Sequence, residues 1–129
     1  MIEQNTYNAA GSLGSKSTSK HDDKGNMIEV NNYNSDGSLN WKSTFKYDYK
    51  GNKMEENYYS SDVSFNNKST YKYDDKGNNI EVNRYNASGS PIGKESYQYA
   101  YDKNLNWIKQ TKYIKGVPNE IIERVIVYY

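Results

Sequence analysis

The chain repeats itself. Aligned on one apolar residue, its copies begin at Ile2, Ile28, Met54, Ile80 and Ile108, at spacings of 26, 26, 26 and 28 residues. A period of about 20 to 50 residues marks an array in which each copy is one supersecondary unit stacked on the next. Every copy holds two short runs and two turn signals. The first signal reads Ala10-Gly11, Asp36-Gly37 or Ser88-Gly89; the second is Asp-Lys-Gly-Asn at 23–26 and 75–78, and Tyr-Lys-Gly-Asn at 49–52. Glycine there supplies the positive φ of a tight reversal, so the unit is a β-hairpin and the second turn leads to the next hairpin.

Side chains on a strand alternate between two faces, which tests the hairpin reading. Leu39, Trp41, Phe45 and Tyr47 share one face, and Lys42, Thr44 and Lys46 the other; the next copy repeats this with Phe65, Tyr71 and Tyr73 against Lys68, Thr70 and Lys72. With Asp36-Gly37 as a two-residue loop, Asn34 faces Leu39, Asn32 faces Trp41, Val30 faces Ser43 and Ile28 faces Phe45. Glu29 and Asn31 then lie near Lys42, Thr44 and Lys46, and opposite charges across strands attract mildly. By the same parity the second turn needs an even loop, of about two or four residues and not three. The two extra residues of the fourth copy lie within 97–101, and an insertion of two keeps every later side chain on its face.

The fold expected is therefore all-β: tandem β-hairpins forming one curled antiparallel meander, with residues 1–129 as a single domain. The first copy has Ser15, Ser19 and His21 where later ones have Trp41, Phe45 and Tyr47, which suits a soluble edge hairpin. Pro91 and Gly93 in the fourth copy predict a bulge or bend, and Leu105 in place of a turn glycine predicts a turn of different shape. The fifth copy is read as turning at 116–119, with Ile121, Val125 and Val127 on the aromatic face and Ile122, Ile126 and Tyr128 on the lysine face. No 3.6-residue apolar stripe marks a helix. A large uncovered aromatic face is not tolerated by a monomer, so the sheet is expected to curl, fold over into two layers, or form a homodimer through the aromatic face or the last strand.

Composition narrows the functions. Only 34% of residues are hydrophobic, but fifteen tyrosines and two tryptophans give buried area and strand preference. Seventeen basic residues balance sixteen acidic ones with no block of either sign, which removes the electrostatic footprint of a nucleic-acid binder or a basic membrane-surface module. There is no cysteine for a disulfide or a thiolate site, and no stretch of membrane-spanning length, so membrane insertion is not expected. The N-terminus lacks the order of a signal peptide.

The pieces Tyr-Asp-Tyr-Lys-Gly-Asn at 47–52, Tyr-Asp-Asp-Lys-Gly-Asn at 73–78 and Tyr-Asp-Lys-Asn-Leu-Asn at 101–106 resemble the Tyr-Asp-x-x-Gly-Asn core of the YD repeats of bacterial RHS proteins and teneurins. The resemblance implies a hairpin array that in long members spirals into a shell, with carbohydrate binding also suggested. A secreted, periplasmic or cell-surface location follows from it.

The expectation is a non-enzymatic binding or scaffold module for glycan or protein, the alternative being a structural piece of a larger RHS-like shell with no ligand of its own. The ligand-binding candidates are Trp107, Trp41, Tyr33, Tyr59 and Tyr85. Trp41 can stack on a ring with help from Asn32, Asn34 and Asn40, or simply pack the core face; Trp107, just before the Ile108 slot, is expected on the polar face as an exposed platform. Asp22-Asp23 and Asp74-Asp75 point to opposite faces and read as turn formers rather than as an acid/base pair or a calcium loop. His21 has no nucleophile or orienting carboxylate nearby. No catalytic residue, metal site or cofactor is expected.

Overall fold

The computed structural model describes residues 1–127. It contains ten strands: β1 (Ile2–Tyr7), β2 (Leu13–His21), β3 (Met27–Asn34), β4 (Leu39–Tyr47), β5 (Lys53–Tyr59), β6 (Phe65–Tyr73), β7 (Asn79–Tyr85), β8 (Pro91–Tyr101), β9 (Trp107–Ile114) and β10 (Val117–Glu123). They form one antiparallel meander in sequence order, and strands approach only their sequence neighbours. The sheet is one layer deep and is neither folded over nor closed into a barrel. On the aromatic face Ser43 and Val82 are buried, and on the other face Thr18.

The turns depart from expectation in one consistent way. Gly37 N–H donates to Asn34 O at 3.0 Å and Asn34 N–H to Ser38 O at 2.9 Å, so the loop is three residues, 35–37, with Gly37 at φ 84°. The second turn is built alike: Gly51 N–H to Asp48 O at 3.1 Å and Asp48 N–H to Asn52 O at 2.9 Å. An odd loop would throw the faces out of phase. A bulge on the strand that follows restores them, because one residue is left without a partner. The register steps from Asn32↔Trp41 to Tyr33↔Leu39 around Asn40, and from Lys46↔Glu55 to Tyr47↔Lys53 around Met54. The second loop is thus three residues and not the two or four expected, and it is the bulge that keeps the faces in phase.

The bulges move particular side chains. Ile28 and Met54, expected inside the aromatic face, are the unpaired bulge residues and stand 38% and 43% exposed. Leu39 and Phe65 cross to the lysine face opposite Tyr33 and Tyr59, and the Tyr59 and Phe65 rings meet edge-on at 6.0 Å. The bulge expected at Pro91 and Gly93 is present around Ile92, where the register steps from Arg84↔Gly93 to Tyr85↔Pro91, but every other hairpin of the first four copies makes the same step. Leu105 also fails to reshape its turn. Its N–H donates to Asp102 O at 3.1 Å, like the glycines, and it adopts φ 63°.

The fifth hairpin turns at Lys115-Gly116, with φ 51° and 83°, and not at 116–119. Ile114 pairs with Val117, and a register step around Asn119 places Ile122 opposite Gln110 on the aromatic face and Ile121 opposite Thr111 on the other. That inverts the facing expected for both isoleucines. Val125 and Val127 lie beyond β10, as does Ile126, and Tyr128 lies outside the described residues. The two extra residues of β8 behave as expected: Tyr97, Tyr99 and Tyr101 stay on the aromatic side, and Tyr99 takes the role that Tyr73 has one copy earlier.

Candidate functional site

The Tyr-Asp-x-x-Gly-Asn stretch is a brace. Asp48 Oδ1 accepts from Lys50 N–H at 2.9 Å and Asn52 N–H at 2.8 Å, and its Oδ2 accepts from the Asn52 amide at 2.9 Å. Asp22 and Asp74 do the same in their turns. The asparagine hydrogen bond leads the effects that hold the Asp22 and Asp48 carboxyls below the usual range. For Asp74 burial pushes upward, and the Tyr101 hydroxyl and Asn78 amide outweigh it. The tyrosine hydroxyls donate across the sheet to a carbonyl twenty residues back: Tyr47 to Met27 O at 2.8 Å, Tyr73 to Lys53 O at 2.9 Å and Tyr99 to Asn79 O at 2.9 Å. Each staples the carbonyl just ahead of a bulge, where the ladder is interrupted. Two clefts of about 580 and 330 Å³ lie between successive turns, the second lined largely by residues 26 positions after those of the first. Of their carboxylates, those of Asp22, Asp48 and Asp74 brace the turns.

The aromatic face is less greasy than its name. Trp41 and Tyr58 rings lie 6.1 Å apart, while Lys53 Nζ sits 5.4 Å from the Phe45 ring centre and 4.9 Å from that of Tyr71. Lys53 pairs with Glu56 at 2.7 Å, and Tyr71 donates to the same carboxylate at 3.1 Å. Burial works against the Lys53 charge, but Glu56 outweighs it and holds the ammonium above its ordinary pKa. A second cluster centres on Glu95, which takes Arg84 at 2.9 Å, the Tyr97 hydroxyl at 2.7 Å and Lys112 at 3.3 Å. Arg84 leads the effects that lower Glu95 to about 2, while burial, then the Glu95 hydrogen bond, pushes Tyr97 up to about 12.

The other face is a lattice of charge with a row of rings along one side. Glu29 bridges Lys20 at 2.9 Å and Lys42 at 2.7 Å, and Glu81 bridges Lys72 at 2.8 Å and Lys94 at 2.7 Å. Tyr33, Tyr59 and Tyr85 stand half-buried near the first-type turns, each opposite a lysine: Lys16, Lys42 and Lys68. Lys68 Nζ lies 5.2 Å from the Tyr85 ring centre. Each tyrosine also faces an apolar side chain on its other flank, Leu39, Phe65 or Pro91. At about 4.8 Å per strand, successive rings are roughly 10 Å apart. The row extends through Tyr7 and Tyr113, which the sequence reading missed and which the 26, 26, 26, 28 spacing alone would have found.

Of the five candidates the structure therefore groups Tyr33, Tyr59 and Tyr85, and sets the tryptophans apart. Trp41 lies on the aromatic face against Tyr58. The amides offered as its helpers are engaged nearby: Asn40 donates to Asn32 at 3.1 Å and Asn34 to Ser38 Oγ at 3.0 Å. Trp107 is not a platform on the polar face. The bulge at Ile108 sets it opposite Tyr101 on the aromatic face, its ring 6.1 Å from that of Tyr99. The Arg124 guanidinium covers it at 3.3 Å and donates to its carbonyl at 2.7 and 3.0 Å. Among the described residues no group of three His, Cys, Asp or Glu side chains is placed to hold a metal ion.

No protein-family model matches the chain, and no curated protein does. Among solved structures it is similar to a TcdB2-TccC3 crystal structure, with 15% identity and a TM-score of 0.38, covering 84% of this chain and 7% of that one. A TcdB2-TccC3-TEV crystal structure gives 12% and 0.33 over 94% of this chain and 10% of that one. A Photorhabdus luminescens Tc holotoxin pore with a mutant TccC3 gives 12% and 0.31 over 94% and 9%. The chain thus spans no more than 10% of each of these three solved chains.

Proposed function

We propose that the chain is a non-enzymatic scaffold module of the YD-repeat type, a stretch of stacked hairpins that works by presenting its faces to other macromolecules outside the cytoplasm. The observation that carries this reading is the single-layer sheet: ten strands touch only their neighbours, and Trp41, Phe45, Tyr58 and Tyr71 remain half-exposed on one face. Such a surface is stabilised by cover, and each ring fully buried contributes about 1.5–3 kcal/mol. A second copy supplies the cover in this reading. The carboxylates of Asp22, Asp48 and Asp74 brace turns, and those of Glu29, Glu81 and Glu95 join strands, which supports a role in holding the sheet together.

A second reading, glycan binding, draws on the tyrosine row, because evenly spaced rings flanked by lysines and amides suit an extended sugar polymer. Light scattering and a glycan array on the chain and on its Trp41→Ala and Tyr59→Ala variants separate the two. The scaffold reading expects a dimer weakened by Trp41→Ala and no glycan signal. A monomer whose glycan binding disappears in Tyr59→Ala would replace it with the second reading.

A further inference from the structure

The outer edge of β1 is a joint with one half missing. Residues 1–8 read Met-Ile-Glu-Gln-Asn-Thr-Tyr-Asn and residues 27–34 read Met-Ile-Glu-Val-Asn-Asn-Tyr-Asn, identical at six of eight positions. In β3 that sequence receives a neighbour on each side. Glu29 Oε2 binds Lys42 of the following strand at 2.7 Å, and Oε1 binds Lys20 of the preceding strand at 2.9 Å, with the Asn31 amide at 3.1 Å. Glu3 reproduces half of this arrangement. Its Oε2 binds Lys16 of the following strand at 2.8 Å and its Oε1 accepts from the Asn5 amide at 3.2 Å, while the place of the preceding lysine is open on the sheet edge.

The three strands that fill this place internally share one pattern. Residues 17–20, 43–46 and 69–72 read Ser-Thr-Ser-Lys, Ser-Thr-Phe-Lys and Ser-Thr-Tyr-Lys, and Lys20, Lys46 and Lys72 bind Glu29, Glu55 and Glu81 at 2.9, 2.9 and 2.8 Å. The pairings superpose by shifts of 26: Lys20↔Glu29, Lys46↔Glu55 and Lys72↔Glu81. The other free edge, β10, does not carry the pattern. Val125 stands at the lysine slot, and Pro118 has no N–H to give to a ladder.

We propose that the free edge of β1 binds a Ser-Thr-x-Lys strand that has no partner of its own, antiparallel and in the β2–β3 register, with the incoming lysine on Glu3. This rests on the scaffold reading and names the partner of its first edge. The mode is strand addition: main-chain hydrogen bonds supply affinity, and the lysine and the alternate side chains supply register. A second copy of this chain does not qualify, because its own three Ser-Thr-x-Lys strands are already paired on both sides.

The test is titration of the isotope-labelled chain with a linear peptide of residues 65–76, Phe-Asn-Asn-Lys-Ser-Thr-Tyr-Lys-Tyr-Asp-Asp-Lys, followed by amide NMR. Saturable shifts confined to residues 2–7 are expected, with Glu3→Gln and Glu3→Lys weakening binding by at least about tenfold. The peptide with Lys72→Glu should regain binding to the Glu3→Lys chain and to no other. Shifts centred on β10, binding indifferent to Glu3, or no saturation at about millimolar peptide would overturn the proposal. None of these outcomes touches the scaffold reading, which is tested on the aromatic face.

Discussion

Val63 and Leu105, both at φ 63°, occupy turn positions that the other hairpins of the first four copies give to glycine: Gly11, Gly37 and Gly89 for the first, Gly25, Gly51 and Gly77 for the second. A side chain in the left-handed region crowds the following carbonyl and costs about 1–2 kcal/mol, more for a β-branched residue. The hydrogen bonds of both turns are nonetheless kept, Val63 N–H to Ser60 O at 2.9 Å and Leu105 N–H to Asp102 O at 3.1 Å. The cost is borne by the Asx and serine bracing around them; Asp62 Oδ1, for instance, accepts from Ser64 N–H at 3.0 Å and its hydroxyl at 2.6 Å. Val63→Gly and Leu105→Gly are each expected to stabilise the chain by about 1 kcal/mol in urea denaturation, the gain offset in part by greater freedom of the unfolded chain. Gly77→Ala, in the same conformation, should destabilise by a similar amount.

The elements join through carboxylates shared between strands, which ties stability to pH. Glu29, Glu81 and Glu95 are each lowered from 4.5 to about 2, led by Lys42, Lys72 and Arg84 respectively. A carboxyl that is more acidic folded than unfolded contributes its stability above the unfolded value and loses it as protons bind the folded state. Urea midpoints should therefore be flat from about pH 5 to 8, fall from about pH 4.5 downward, and approach their floor near pH 2. In the Glu29→Gln, Glu81→Gln double variant the acid slope should be shallower. At this scale the sequence was informative in a particular way. Glycine spacing and lysine–aromatic alternation exposed the hairpins, the insertion in β8 and the pairing of Glu29 with Lys42. They did not expose the bulges, because a residue such as Met54 looks like any strand residue until the three-residue loop before it is known. In the first four copies and at the start of β9 the misplaced side chains follow from that: Leu39 and Phe65 sent to the wrong face, Trp107 taken for a platform. Ile121 and Ile122 are exchanged because a two-residue loop at Lys115-Gly116 is followed by a bulge at Asn119.

Across the whole molecule one operation, a shift of 26 residues, generates the turn braces, the tyrosine staples, the lysine–glutamate lattice and the tyrosine row. Repeats of this kind derive stability from nearest-neighbour joints rather than from a central core, in keeping with the few buried side chains here. The two ends differ chemically. β1 ends the sheet in a polar, half-filled joint, while β10 carries Val117, Ile121 and Ile122 at 65%, 57% and 41% exposure. What all of this depends on is that in the first four copies each loop and its bulge together keep the two faces in phase, and the absence of cysteine makes that directly measurable. Thr44 and Asn57 are partners across β4 and β5, whereas Glu56 points to the opposite face beside Phe45. Under mild oxidation a Thr44→Cys, Asn57→Cys chain should close a disulfide and a Thr44→Cys, Glu56→Cys chain should keep free thiols; the reverse pattern would contradict the account.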